Sequence, residues 1–230
     1  MKWFRRSPPP DTPPPDFIVQ YQQASRTRPD PKQPIREICF VVFDTETTGL
    51  NPKKDLWLSL GAVVVQKRSI WVDRSLEFTL QHQDIDISEQ VAIHGITQNF
   101  LAEGILEVDV LKHWLSFIEN SVLVAHHAAF DQQIINEALR RHFGQYKVRL
   151  RNPVLDTAQL AQRLDRFNTI PEAQNPAHYG LDHLCQRFGI ALNDRHTAAG
   201  DALLTAQLLL KLLVQAEQRG IRTHRQLLGR

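Results

Sequence analysis

Six consecutive apolar residues, Ile38-Cys39-Phe40-Val41-Val42-Phe43, run without interruption up to Asp44. A strand with one solvated face alternates apolar and polar side chains, so an unbroken run marks a strand covered on both faces. Residues 58–65 (LSLGAVVV) and 69–80 (SIWVDRSLEFTL) read as two further strands. The connections between the three are too short for helical crossovers, which predicts an antiparallel meander. After Gln81 the texture changes. Helical patterns cover about residues 88–93, 108–119, 129–142, 157–166, 181–188 and 198–219, with short strands at 122–125 and 154–155. Strands first and helix–strand alternation afterwards predict an α/β domain with a mixed sheet. No internal repeat is visible.

At 230 residues the chain suits one good-sized domain or two small ones, and a fold of that size buries roughly 70% of its unfolded surface without staples. Its two cysteines, Cys39 and Cys185, are far apart and form no C-x-x-C. That excludes a disulfide scaffold and a zinc ribbon and suits a reducing cytoplasm. No apolar run approaches the roughly 18 residues of a membrane span. Lys2, Arg5 and Arg6 are followed by no apolar stretch, so the start does not read as a secretory signal. Residues 1–36 hold seven Lys/Arg against three Asp, a net of +4, and the remainder holds 20 basic and 22 acidic residues, a net of −2. Bulk positive charge therefore does not explain what the body binds. Nine of the 13 prolines fall within the first 34 residues, a composition that favours extended backbone over a core. Residues 1–36 are expected to be a basic, Pro-rich extension with a flexible or loosely docked character. Residues 37–220 are expected to be the folded domain, and 221–230 a tail.

Candidate chemistry begins at the end of the first strand, in Phe43-Asp-Thr-Glu-Thr-Thr-Gly-Leu50. Residues i and i+2 of a strand share a face, so Asp44 and Glu46 present two carboxylates side by side. Such a pair is costly unless a cation neutralises it, and Mg²⁺ is held in this way by one or two carboxylates plus phosphate oxygens. The pair needs company, because 15 Asp and 10 Glu yield about 0.65 D-x-E pairs by chance. The company is a second strand end, Val124-Ala-His-His-Ala-Ala-Phe-Asp131, where Asp131 falls in the first turn of a helix. A third segment, His196-Thr-Ala-Ala-Gly-Asp-Ala202, opens a long apolar helix. Five residues of regular helix turn about 500°, so His196 and Asp201 converge only if His196 precedes the helix.

In order and spacing these three segments resemble the three motifs of the DEDDh 3′–5′ exonucleases, the group that includes the proofreading epsilon subunit of bacterial DNA polymerase III. Shorter matches lie at Leu60-Gly-Ala-Val63, Ile93-His-Gly-Ile-Thr97 and Val154-Leu-Asp-Thr157. The resemblance covers about residues 38–214. It implies an RNase H-like fold, a mixed five-stranded sheet flanked by helices. It implies two divalent metal ions, Mg²⁺ or Mn²⁺, and hydrolysis from the 3′ end to nucleoside 5′-monophosphates. Carried over residue by residue, Asp44, Glu46, Asp131 and Asp201 match the metal-binding acids, and His196 matches the general base.

The same resemblance assigns substrate contacts. Backbone groups of Thr45–Gly49, with Thr45, Thr47 and Gly49 among them, would meet the 3′ nucleotide, Leu50 or Ile96 would wedge against the terminal base, and Phe130 would stack. His94 falls in a segment that lines the nucleotide pocket. His127 stands where relatives usually carry Asn, and an imidazole still donates one hydrogen bond. Lone histidines such as His94 and His126 more often serve packing and hydrogen bonding than ligation. Arg140, Arg141, His142, Lys147, Arg149 and Arg151 form the densest basic stretch of the body, either a phosphate track or a solvated helix end. The expected activity is 3′–5′ hydrolysis of single-stranded or frayed DNA. Trimming of RNA ends or short oligoribonucleotides is the alternative, and a catalytically inactive nucleic-acid scaffold is a third reading, disfavoured by five intact signature residues. Little sequence follows the last motif helix, so a stand-alone enzyme, monomeric or homodimeric, is expected over a polymerase-bound subunit.

Overall fold

The computed structural model describes residues 12–27, 29–83, 85, 87, 95–166 and 175–229. The helix expected at 88–93 and His94 lie outside them. Among the described residues, β1 (Phe40–Thr47), β2 (Trp57–Gln66), β3 (Ser69–Thr79), β4 (Val122–Ala125) and β5 (Val154–Asp156) form one sheet in the order β3-β2-β1-β4-β5. The first three strands are an antiparallel meander, and β4 and β5 add in parallel. This is the expected mixed sheet.

Both faces of the sheet are covered, as the apolar run of β1 requires. Phe40 and Val42 point into one core layer with Val63, Val65, Leu155 and the helices α5 (Thr157–Asp165), α6 (Leu181–Arg187) and α7 (Ala198–Gln218). Val41 and Phe43 point into the other, with Ala62, Val64 and the helices α3 (Glu107–Ile118) and α4 (Ala129–Phe143). The period of two thus sends even-numbered β1 side chains towards α7 and odd-numbered ones towards α4. An 18-residue window of α7 has a mean hydropathy of 1.2, enough by length and composition to cross a membrane. In this fold the same helix is central to the core, with Leu204, Leu208, Leu209 and Leu212 all buried.

The N-terminal segment departs from expectation. Pro15 holds an extended backbone that leads into α1 (Asp16–Ala24), and Ile18 and Tyr21, one turn apart, are 0% and 2% exposed in the α3–α4 layer. Tyr21 donates to Asn152 Oδ1 at 2.8 Å and accepts the Arg151 N–H at 2.8 Å. Residues 31–35 then pair with 222–225: Ile35 N–H meets the Arg222 carbonyl, and the N–H groups of His224 and Arg225 meet the carbonyls of Gln33 and Pro31. α1 and residues 31–35 are therefore held against the fold and are not a loose tail. The flanking prolines dominate the composition, while Ile18, Tyr21 and the half-buried Phe17 dock the nine-residue helix. The short helices α2 (Gln98–Ala102) and α8 (His224–Leu227) were not anticipated.

The long edge strand β3 carries a bulge. Val63 pairs with Ser75 but its neighbour Val64 pairs with Trp71, leaving Asp73 and Arg74 among the extra residues. A charged bulge on an exposed edge opposes pairing with another chain.

Candidate active site

The acids gather where β1 outlasts its neighbour. β4 pairs with β1 only as far as Val42↔Val124, while β1 continues to Thr47 against β2. Asp44 and Glu46, on the even face of β1, meet Asp201 near the start of α7. One carboxylate oxygen from each lies within 4.8 Å of the others. Two glycines permit this approach. Gly61 sits opposite Asp44 on β2, and a Cβ there would fall 2.2 Å from the Ala198 carbonyl carbon, so only glycine lets α7 start this close to the sheet. Gly200 allows the turn before α7 to fold back, since a Cβ there would fall 2.0 Å from Asp194 O. Thr197 caps the helix, its Oγ1 accepting from Gly200 N–H at 3.1 Å.

Asp131 approaches from the odd face. Beyond the end of β4 the Thr45 N–H has no strand partner, and Asp131 Oδ1 accepts it at 3.1 Å together with the Thr45 hydroxyl at 2.6 Å. Asp131 is 4% exposed. Two groups that sequence reasoning did not single out for this role fix the turn that carries it. Asp156 accepts the Ala128 N–H at 3.0 Å while also capping α5, and Thr157 bonds His126 Nδ1 at 2.8 Å. A signal existed in the Leu-Asp-Thr segment, whose Asp precedes an apolar helix as a cap does.

The electrostatics of this arrangement are unfavourable without a cation. Burial first, then the charges of Asp131, Asp201 and Glu46, hold the Asp44 carboxyl well above the usual range. Burial and the Asp201 charge push Glu46 up to about 7, and burial pushes Asp131 up to about 7 although the two Thr45 hydrogen bonds oppose it. Asp201 is 7% exposed, and its Oδ1 is buried with no hydrogen-bond partner among the described residues. A buried carboxylate oxygen left open costs free energy unless something fills it. All-oxygen donors at this spacing, with one oxygen vacant, suit a hard divalent cation such as Mg²⁺ or Mn²⁺.

The remaining expected residues divide. Thr45 is buried and spent on Asp131, and Thr47 Oγ1 donates to the Gly49 carbonyl at 2.7 Å. Gly49 lies against Asp55, where a Cβ would fall 2.7 Å from Oδ2. Leu50 is 91% exposed at the tip of this loop, and Ile96 is half-buried beside Leu58 and Leu101. His127 is exposed with φ of 63°, and Phe130 is half-buried at the start of α4. His126 is held neutral, its pKa lowered to about 4 by burial and by His127, which fits a hydrogen-bonding and packing role.

His196 does not join the acids. It precedes α7 as expected, but it is exposed in a turn with φ of 62° and lies outside the three-acid set. Its neighbour Arg195, which the sequence did not flag, donates to Asp201 Oδ2 and to Asp182 Oδ1. The basic stretch also reads differently in three dimensions. Arg140 pairs with Glu137, and Arg141 and His142 both pair with Glu107. These groups sit at the C-terminal end of α4, the far end of the helix from Asp131, so a phosphate track there gains no support.

The exonuclease family RNase_T matches residues 41–209. The PolC-type DNA polymerase III of Bacillus subtilis is 35% identical over 193 residues, 84% of this chain but 13% of that protein. A DNA polymerase III subunit epsilon-like protein of Rhodobacter capsulatus is 36% identical over 195 residues, 83% of this chain and 26% of that one. The chain thus spans a small part of the length of these relatives. Among solved structures, E. coli exonuclease I in complex with a dT13 oligonucleotide superposes with a TM-score of 0.64 at 17% identity, covering 80% of this chain and 43% of that one. Exonuclease X in complex with 5′ overhanging duplex DNA superposes with a TM-score of 0.59 at 23% identity, covering 82% and 97%. These likenesses establish the RNase H-like fold. Because the matched span runs from β1 through α7 and takes in all four acids, this chain belongs to the RNase_T exonuclease family.

Proposed function

We propose that the chain is a metal-dependent 3′–5′ exonuclease that releases nucleoside 5′-monophosphates from single-stranded or frayed DNA ends. The observation that carries this reading is the convergence of Asp44 and Glu46 on Asp201, whose buried Oδ1 stands open. Asp44, Glu46, Asp201 and Asp131 would hold two ions, Mg²⁺ or Mn²⁺. When bound, such ions supply Lewis-acid stabilisation of the charge that develops on the phosphate. A zinc-bound form of E. coli exonuclease I solved with single-stranded DNA supports a divalent-metal site in this fold.

The protein's own groups do the rest. Thr45 fixes Asp131 Oδ1 and so leaves the other oxygen to the site. His196, exposed on the turn before α7, takes a proton from the attacking water at an imidazole nitrogen, the side chain most often used for general-base work. Leu50 and Ile96 offer apolar contacts to the terminal base, the half-buried Phe130 a stacking face, and exposed His127 a donor. Relatives named as DNA polymerases, and neighbours solved with DNA, support DNA over RNA as substrate. The polymerase relatives also support action at replication or repair ends, whereas a cytoplasmic setting and a stand-alone or homodimeric state rest on the sequence reading. The test is release of labelled mononucleotide from 3′-labelled DNA and RNA oligonucleotides of one sequence, side by side with Mg²⁺ and Mn²⁺. Release from DNA is expected; release from RNA alone would overturn the substrate assignment.

A further inference from the structure

Arg195 immediately precedes His196, and its side chain is committed twice. Nε donates to Asp182 Oδ1 on α6, and Nη1 donates to Asp201 Oδ2 on α7. Asp182 is not one of the clustered acids. It sits in the first turn of α6, a helix anchored to α5 by the two-pronged Arg187–Asp165 pair at 2.5 and 2.6 Å. Tyr179 donates to the same Asp165 carboxylate at 2.9 Å. Through Asp182, Arg195 is thus delivered to the cluster by a braced scaffold. Its guanidinium places a positive charge in direct contact with the cluster at Asp201. Asp201 consequently has Oδ2 occupied and Oδ1 buried and open.

We propose, resting on the metal-site reading above, that Arg195 is a positioning residue and the resident counter-cation of the acid cluster. Clamped by Asp182, it fixes Asp201 with one oxygen taken and the other presented, and its share of the neutralising charge passes to a divalent ion when one binds. Two carboxylates that grip one guanidinium hold it by a planar fork, which lysine cannot reproduce.

The test is thermal melting of the full chain, wild type against Arg195→Gln, Arg195→Lys and Asp182→Asn, after EDTA treatment and again with saturating Mn²⁺. Without metal, Arg195→Gln is expected to melt at least about 4 °C below wild type, because a buried acid loses its partner. With Mn²⁺ the gap closes to within about 2 °C, so the metal-induced rise is larger in the variant. Arg195→Lys falls between the two. Asp182→Asn keeps the cation but frees it, shifts in the same direction by less, and serves where Arg195→Gln does not fold. An equal loss with and without Mn²⁺ would make Arg195 a plain structural brace and overturn the proposal. An unchanged metal-free Tm, or a wild type that Mn²⁺ does not stabilise, would overturn it too. Melting reads binding and not hydrolysis, so a wild type that binds Mn²⁺ and cleaves nothing refutes the exonuclease reading alone.

Discussion

Gly61→Ala places one methyl group at the tightest helix–sheet contact of the site. The added Cβ would lie 2.2 Å from the Ala198 carbonyl carbon and 2.3 Å from both its oxygen and Ala199 N, whereas ordinary contact begins near 3.4 Å. All three atoms are backbone, so no side chain can swing aside. The start of α7 must withdraw by about 1.2 Å, or β2 must buckle by as much. Overpacking of this kind costs about 1–3 kcal/mol, equivalent to a Tm loss of roughly 2–12 °C for a domain of this size. The withdrawal also carries Asp201 away from Asp44, its partner across the Gly61 register. A displacement of about 1 Å in a catalytic constellation is worth about 10²-fold in rate. Melting curves and mononucleotide release from single-stranded DNA would be measured together. A variant with wild-type Tm and wild-type rate would show that α7 is not held by this contact. A variant that loses stability but keeps full activity would break the link between helix position and acid geometry.

His196→Ala, a change at an exposed turn, is expected to leave Tm and Mn²⁺ binding unaltered and to lower the rate at least about 10²-fold; near-normal activity refutes the general-base role. Thr45→Val removes the hydroxyl that holds Asp131 at 2.6 Å, and a drop of about tenfold or more in rate is expected, because hydrogen bonds to charged groups are worth about 1.5–3 kcal/mol; unchanged kinetics would mean that Asp131 needs no such tether. Tyr21→Phe loses its bonds to Asn152 and Arg151 and should lower stability by about 1–3 kcal/mol without touching the rate; an unaltered Tm would show that α1 is not integral. In EDTA, Glu46 and Asp131 have native pKa values of about 7, above those of the unfolded chain. Their contribution to stability is therefore fully present below about pH 4 and lost as pH rises through about 7. The metal-free Tm should fall across that window from this source, while the stabilisation by Mn²⁺ should grow. A Mn²⁺ effect independent of pH between 5 and 8 contradicts these shifts.

Sequence reasoning reached most of the sheet because β1 could satisfy its apolar run only between two helical layers, and period-two alternation then placed Asp44 and Glu46 on one face. Asp131 and Asp201 were legible as acids at helix starts. What joined them was not. The Thr45–Asp131 contact depends on β4 releasing β1 after Val42, a register that no local pattern encodes. The need for glycine at position 61 appears only once α7 crosses β2. Arg195 carries no signal because its two partners come from different helices, 13 residues before it and six after. Helix α1 is obscured by the prolines that flank it, since composition reports the average of a segment and docking depends on Ile18, Tyr21 and the Phe17 contact with Phe143. His196 was placed correctly before α7, but the left-handed turn that leaves it exposed follows from backbone that sequence spacing does not determine.

The most direct measurement of the central claim uses 5′-labelled single-stranded DNA, incubated with wild type or Asp201→Asn and resolved at single-nucleotide steps with Mg²⁺, Mn²⁺ or EDTA. The acid cluster predicts a ladder that shortens one nucleotide at a time from the 3′ end with wild type and metal. It predicts no shortening in EDTA, and a loss of at least about 10²-fold for Asp201→Asn, whose open buried oxygen is the feature that calls for a cation. Internal cuts, shortening in EDTA, or full activity of Asp201→Asn would contradict it.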